Sequence, residues 1–530
     1  MSDIPVKRNH MKIPWHNYVS ARNSQPITEA SLSEKASLIG RTGMMLLSCG
    51  TGAWRVRSSM NTLSEALGIT CSADIGLMSI NYTCFDGESS FSHALSLTTT
   101  GVNTSRLNRL EHFVSDFPTE GIHMSGEALH SQLDEIERIH GLYSPAALGL
   151  ASALACVHLL FFWAVAPGMI LAFAGAGIGN AIRCKLGKHH FTLFMCIAVS
   201  VSSACLVYAG FLKLAELLFH ISVQHEAGYI CSMLFIIPGF PFITSGIDLA
   251  KLDMRSGLER LAYAIIVVMV AAVSAWLMAL LLHLKPVDFL PLELSAAQRI
   301  LFRLLASFCG VFGFSVMFNS PVRLAAAAAF IGALSNTLRL ELVDLAGFPP
   351  AAAAFFGALT AGLLASLIKT KVGYPRISIT VPSIVIMVPG LYLYRAIYNL
   401  GIMSLNVSAS WFAAAILIIV ALPLGLIFAG SLRTKCSATA PDGHTKRTAF
   451  YSFRSSTILL ITGAIQKQSF FVHSISLRSH PRSRSFFPDG PQIYGWGEKR
   501  PVRHNVFHHP PQNPAHNTQK LLEASSELPS

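Results

Sequence analysis

Ile237-Pro238-Gly239-Phe240 and Val388-Pro389-Gly390-Leu391 decide how this chain is read. Each lies inside an apolar stretch, and each is followed by a loop and a last long apolar run. They stand 151 residues apart (238 to 389). Proline removes a ladder hydrogen bond and glycine opens unusual dihedrals, so each pair interrupts a helix. In lipid the freed carbonyls need partners. A neighbouring helix is one such partner; a bound solute or ion is another. One proline–glycine pair is weak evidence, because both residues are common in membrane helices. Two at matched positions favour the solute.

Working outward, apolar stretches run at about 146–164, 168–182, 191–210, 228–247, 261–282, 300–318, 324–338, 347–368, 378–397 and 409–429, each long or nearly long enough for the roughly 20 residues that cross a bilayer. The fold class is therefore a polytopic α-helical membrane protein of about ten spans in two five-span halves. The halves cover 146–283 and 300–429, joined by a linker at 284–299, with each Pro–Gly pair in the fourth span of its half. An odd span number makes homologous halves inverted repeats, as in many alternating-access carriers. The second and seventh stretches are short, either broken around a site or longer than their apolar cores. Composition agrees: 52% of residues are hydrophobic and 13% are Asp, Glu, Lys or Arg, where a soluble domain carries about 25% charge. A soluble enzyme, a collagen-like fibre and a disulfide scaffold are excluded.

Residues 29–145 read as a small cytoplasmic α+β domain. Leu32, Ala36, Ile39 and Gly43 share a helical face, and Trp54 to Leu67 forms a second helix closed by Gly68. Ile69–Tyr82 and Phe91–Thr99 are strand candidates; Asn103–Phe117 and Ser125–Ile139 are helical. Residues 1–28 are polar and lack the apolar core of a signal peptide. Residues 430–530 are basic and rich in Pro, Ser and His, and read as a disordered tail.

The net charge of +12 divides as −3 over 1–145, +7 over 146–429 and +8 over 430–530. Its placement between apolar blocks fits an anionic membrane surface and not nucleic acid. With the amino terminus inside, Arg183, Lys185, Lys188, Lys251, Arg255, Arg260, Arg323, Lys369, Lys371 and Arg376 fall on inner loops. Only Lys213, Lys285, Arg299, Arg339 and Arg395 fall outside, and Arg303 lies within the sixth span. The excess of inner cations follows the positive-inside rule and supports this topology, with the amino terminus inside.

The candidate site gathers Pro238, Gly239, Pro241, Asp248, Asn319, Pro321, Asn336, Arg339, Pro389, Gly390 and Arg395. An ionisable group at membrane depth is a functional hypothesis by default, although near a helix end it reaches the interface instead. Arginine suits a carboxylate; Asp248 suits a substrate amine or a proton. No enzyme signature is present: there is no P-loop, HExxH or GxSxG. Cys49, His93 and Asp116 have no catalytic spacing, and Gly175, Gly177 and Gly179 sit in an apolar run where helix packing explains them. The ten cysteines form no CxxC pair. No cofactor or metal is expected.

These motifs resemble the threonine/serine exporter family. Pro238-Gly239-Phe240-Pro241, followed by Gly246, Asp248 and Gly257, resembles its first membrane half. Phe318-Asn319-Ser320-Pro321 with Arg323, and later Pro389-Gly390, resembles its second. Gly43-Met44-Met45-Leu46-Leu47, Gly52, Arg55 and Val56, then Asn103, Arg106 and Leu107, resemble its amino-terminal region. The resemblance covers about residues 30–429. It implies a proton-driven exporter of threonine and serine in the inner (plasma) membrane, with a cytoplasmic amino-terminal domain ahead of ten spans, and the long tail departs from the pattern. Its partners would be those amino acids, protons and membrane lipids; a homo-oligomer is left open. Two other readings stay open: a dicarboxylate carrier on the same scaffold, and a membrane receptor or scaffold in which 29–145 binds a partner.

Overall fold

The computed structural model describes residues 13–19, 25–97, 100–139, 141–160, 166–219, 228–284, 294–372 and 374–438. The tail expected at 430–530 lies outside the described residues beyond Ala438, as does most of the polar segment at 1–28.

The first elements are α1 (Leu32–Ser48), α2 (Ala53–Ala66), β1 (Thr70–Ile75), β2 (Ser79–Phe85), β3 (Ser90–Ser96), α3 (Thr104–Asp116) and α4 (Gly126–Glu137). Three helix starts are capped by side chains that accept from an otherwise orphaned N–H. Ser31 accepts from Glu34, Asn103 from Arg106 and Ser125 from Ala128. The strands form one antiparallel sheet in the order β1-β2-β3. The single strand expected at Ile69–Tyr82 is instead a hairpin, turned where Gly76 donates to the Ser79 carbonyl at 2.8 Å. Ile75, Ile80, Tyr82, Cys84 and Leu95 alternate onto the buried face. Tyr82 rests where Gly40 of α1 has no side chain, and its hydroxyl donates to the Ala36 carbonyl at 2.9 Å.

The remaining helices are α5 (Pro145–Leu160), α6 (Ala166–Lys188), α7 (Leu193–Phe219), α8 (Gly228–Met233), α9 (Gly239–Ala250) and α10 (Met254–Leu281), then α11 (Ala296–Met317), α12 (Val322–Asp344), α13 (Pro350–Val372), α14 (Arg376–Ile384), α15 (Gly390–Gly401) and α16 (Leu405–Ala438). Among the described residues six helices are long and apolar enough to cross a membrane. The number rises to eight when α8–α9 and α14–α15 each count as one bent span; Pro145–Cys156 is a shorter apolar helix. The chain is a multi-pass membrane protein. The stretches at 168–182 and 324–338 are not broken: α6 and α12 are continuous helices of 23 residues. Their apolar windows looked short because Arg183 and Lys185, and Arg339 and Glu341, occupy the later turns.

Packing in the first half recurs in the second. α5 packs on α6, α6 on α7, α7 on α10 and α9 on α10; α11 packs on α12, α12 on α13, α13 on α16 and α15 on α16. The second arm of each bent span crosses over. Phe240, Ile243 and Ile247 of α9 join the core of the second half, and Leu393, Tyr394 and Ile397 of α15 join that of the first.

Candidate functional site

The two bends share one backbone solution. A single 3-10 turn, Leu234–Ile236 or Val385–Met387, ends the first arm. The proline follows with φ −80° and ψ 63° at Pro238, and φ −80° and ψ 55° at Pro389. These are the dihedrals of an inverse γ-turn. Accordingly Gly239 donates to Ile237 O and Gly390 to Val388 O, each at 2.8 Å. Ring geometry thus sets the turn, and the next helix starts at once, bent by 56° in the first half and 43° in the second.

The breaks also lock into each other. A Cβ on Gly239 would lie 2.5 Å from Val385 and 3.3 Å from Val388; one on Gly390 would lie 3.0 Å from Leu234 and 3.1 Å from Ile237. The partners are themselves 151 residues apart (234 to 385, 237 to 388), so the contact is reciprocal under the repeat. Tyr229 and Tyr394, both buried, join hydroxyls across the crossing at 2.7 Å.

Charge is not symmetric here. Arg339 of α12 donates to the Met387 carbonyl, in the 3-10 turn of the second break, at 3.5 Å. Its buried Nε has no partner. Among the described residues it forms no salt bridge, whereas Arg303 is paired with Glu341 at 2.7 Å and with Asp344. One turn earlier, buried Asn336 donates to Ser307 Oγ at 2.8 Å and leaves its own Oδ1 unpartnered. Asn180, which stands 156 residues earlier (180 to 336), donates to Leu148 O at 3.0 Å in the first half. Arg395 of α15 lies 5.0 Å over the Trp411 ring.

The structure therefore brings Pro238, Gly239, Pro389, Gly390 and Arg339 together at the crossing, with Asn336 one turn away on α12. It places Asp248 and Asn319 elsewhere. Asp248 is buried at the far end of α9, where Oδ2 accepts from Ala53 N–H at 3.2 Å and Ser256 Oγ at 3.0 Å and faces Arg260 Nε at 3.3 Å. Arg260 continues to the Gly50 and Thr51 carbonyls at 3.2 and 2.6 Å. Two cations expected from sequence to set topology make contacts here: Lys251 stacks 4.2 Å over Trp54, and Arg255 pairs with Asp74. Asn319, at φ 60°, turns the chain before Pro321, the residue preceding α12. It donates to Asn103 Oδ1 at 3.0 Å and accepts from Leu142 N–H at 2.6 Å. Pro241 lies in the first turn of α9. Arg183, Lys185 and Lys188 lie near the end of α6, and Lys369 and Lys371 at that of α13. Arg376, first residue of α14, donates to Gly362 O and Leu426 O, each at 3.4 Å.

Sequence reasoning missed the Tyr229–Tyr394 bridge and the pairing of Asn336 with Ser307. The shared 156-residue spacing of Asn180 and Asn336 was the available signal for the second. Among the described residues no group of three His, Cys, Asp or Glu could hold a metal ion.

Residues 37–283 match a threonine/serine exporter family model, and residues 303–432 match a second model of threonine/serine exporters. No curated protein and no solved structure matches the chain.

Proposed function

The chain belongs to the threonine/serine exporter family, whose two halves it carries in tandem, and from that premise we propose that it is a secondary carrier moving threonine and serine out of the cytoplasm with proton entry. In this reading α5 and α6 complete ten spans in two inverted five-span halves, in the inner membrane, with residues 29–145 a cytoplasmic domain. The excess of Lys and Arg on the loops of that side supports that orientation.

The observation that carries the reading is the reciprocal crossing of two proline-broken spans beside an arginine that has no carboxylate partner among the described residues. Broken spans at a repeat interface are where carriers hold solute. A guanidinium already reaching a break carbonyl can pair with the carboxylate of a solute entering the crossing. Asn336 Oδ1 can accept from an amine or hydroxyl. α12 and the two broken spans carry these groups, so a relative tilt of the halves would change their spacing.

One observation favours the dicarboxylate reading on the same scaffold: Asp248, the acid best suited to a substrate amine, is engaged 9 residues past Gly239, away from the break. The deciding experiment uses purified protein in liposomes under an imposed pH gradient, loaded in turn with labelled threonine, serine and succinate. Protonophore-sensitive efflux of threonine and serine supports the exporter. Efflux of succinate alone selects the second reading, and rates equal to empty liposomes for all three reject both.

A further inference from the structure

The α/β segment does not hang from the first span; it is bolted to both halves. On the first half it holds the turn between α9 and α10. Asp248 accepts from Ala53 N–H, the first residue of α2, so a membrane-helix carboxylate caps a helix of the segment at its positive end. Arg260 ties the same carboxylate to the Gly50 and Thr51 carbonyls. Gly52 is needed for this approach, because a Cβ there would lie 2.5 Å from Asp248 Oδ1. Arg57 pairs with Asp253 beside it. On the second half the segment holds the turn between α11 and α12. Thr104 N–H donates to Phe318 O at 3.0 Å, Thr104 and Ser320 join hydroxyls at 2.8 Å, and Tyr143 donates to Ser320 O at 2.7 Å.

The repeat shows that these bolts are built for one face only. Asp248, Ser256 and Arg260 correspond, 151 residues on, to Asn399, Val407 and Trp411. The backbone of that other turn is the same, with Leu252 at φ 64° and Met403 at φ 60°. Yet among the described residues Asn399 donates only to its own helix, at Arg395 O.

We propose that the α/β segment is a brace between the two halves on its face of the membrane, and that one of its two joints opens each time the carrier turns over. The helices and sheet of the segment pack buried side chains against one another, so it resists stretching. A rocking motion that changes the distance between the α9–α10 and α11–α12 turns must therefore break open a joint on one side or the other. This rests on the carrier reading above.

The test bridges each joint separately in the full chain in liposomes. Thr104→Cys with Ser320→Cys is closed as a disulfide; Arg57→Cys with Asp253→Cys is closed by a short bis-maleimide. Unmutated chain given the same reagents controls for its native thiols. The expected result is that closing one of the two pairs lowers efflux at least tenfold, that the unclosed variants run at the unmutated rate, and that reduction restores the disulfide-closed chain. Full efflux with each joint closed in turn would overturn the proposal. Efflux from the unbridged chain reports on the carrier reading itself, so the two failures are separate.

Discussion

The two bent spans share one backbone turn and differ in chemistry. Both end in a 3-10 turn, both fold around a proline in an inverse γ-turn, and both start a 12-residue helix on glycine. Around the second stand Arg339 and, one turn away, Asn336. Around the first the ionised groups lie at the far end of its helix, in Asp248 and Arg260. Backbone geometry is thus what the two halves share: each break frees carbonyls that need partners in lipid, and the same 3-10 turn and inverse γ-turn recur at both. Side-chain charge is where the halves differ: in the reading proposed above Arg339 of the second half meets the solute, while Asp248 and Arg260 of the first join the α/β segment.

The strongest way to break this division is Arg339→Met against Arg183→Met, since these arginines stand 156 residues apart (183 to 339). Loss of a charge-assisted contact worth about 1.5–3 kcal/mol predicts efflux reduced about 10- to 100-fold for Arg339→Met. Arg183→Met should change it less than about threefold, as for a charge that sets topology. Equal losses would end the asymmetry.

A second test, read in stability and not in efflux, is Asp248→Asn. It leaves buried Arg260 without its acid, which costs about 3–5 kcal/mol. Asn399→Ala at the matching turn should cost about 1 kcal/mol, the worth of one ordinary hydrogen bond. Thermal unfolding of the solubilised protein measures both, and similar shifts would show that the segment is not fastened through Asp248.

The reciprocal contact can be sharpened with single methyl groups. Gly239→Ala and Gly390→Ala should each destabilise by about 1–3 kcal/mol through overpacking. Gly239→Ala should be the worse, since its Cβ meets Val385 at 2.5 Å against 3.0 Å to Leu234 at Gly390. Val385→Ala should relieve the first and not the second; failure to do so would remove the interlock.

A pH test separates the segment from the membrane helices. His130 is buried against Ser37 and Arg41, with His16 and Asp134 nearby. Burial, aided by Arg41, pushes its pKa down from 6.5 to about 4. The unfolded segment therefore binds a proton that the folded one refuses, and stability falls as pH drops from about 6.5 toward 4. Proteolysis over that range should open sites within residues 25–139 first, and His130→Gln should flatten the dependence.

Much of this was legible in the sequence because it rests on local rules. Pro238-Gly239 and Pro389-Gly390 announce the breaks through proline chemistry, and apolar runs mark the helices whatever surrounds them. What stayed hidden depends on contacts between distant residues. Nothing near Asp248 says that its partner is the N–H of Ala53, 195 residues away. The hairpin at Gly76 was masked by Ile75 and Leu77 on either side, which continue an apolar pattern through the turn. Lys251, Arg255 and Arg260 obey a charge rule that is silent about which of them also grip a neighbour.

The exchange of arms at the crossing has a consequence for biogenesis. When residue 283 has left the ribosome, α9 is made but the core that receives Phe240, Ile243 and Ile247 is not. The turn that Thr104 and Tyr143 grip is likewise unmade. Both fall into place only after α11 to α16 follow. The nascent first half is thus a partner in waiting, and assembly of this chain ends with its second half closing the first.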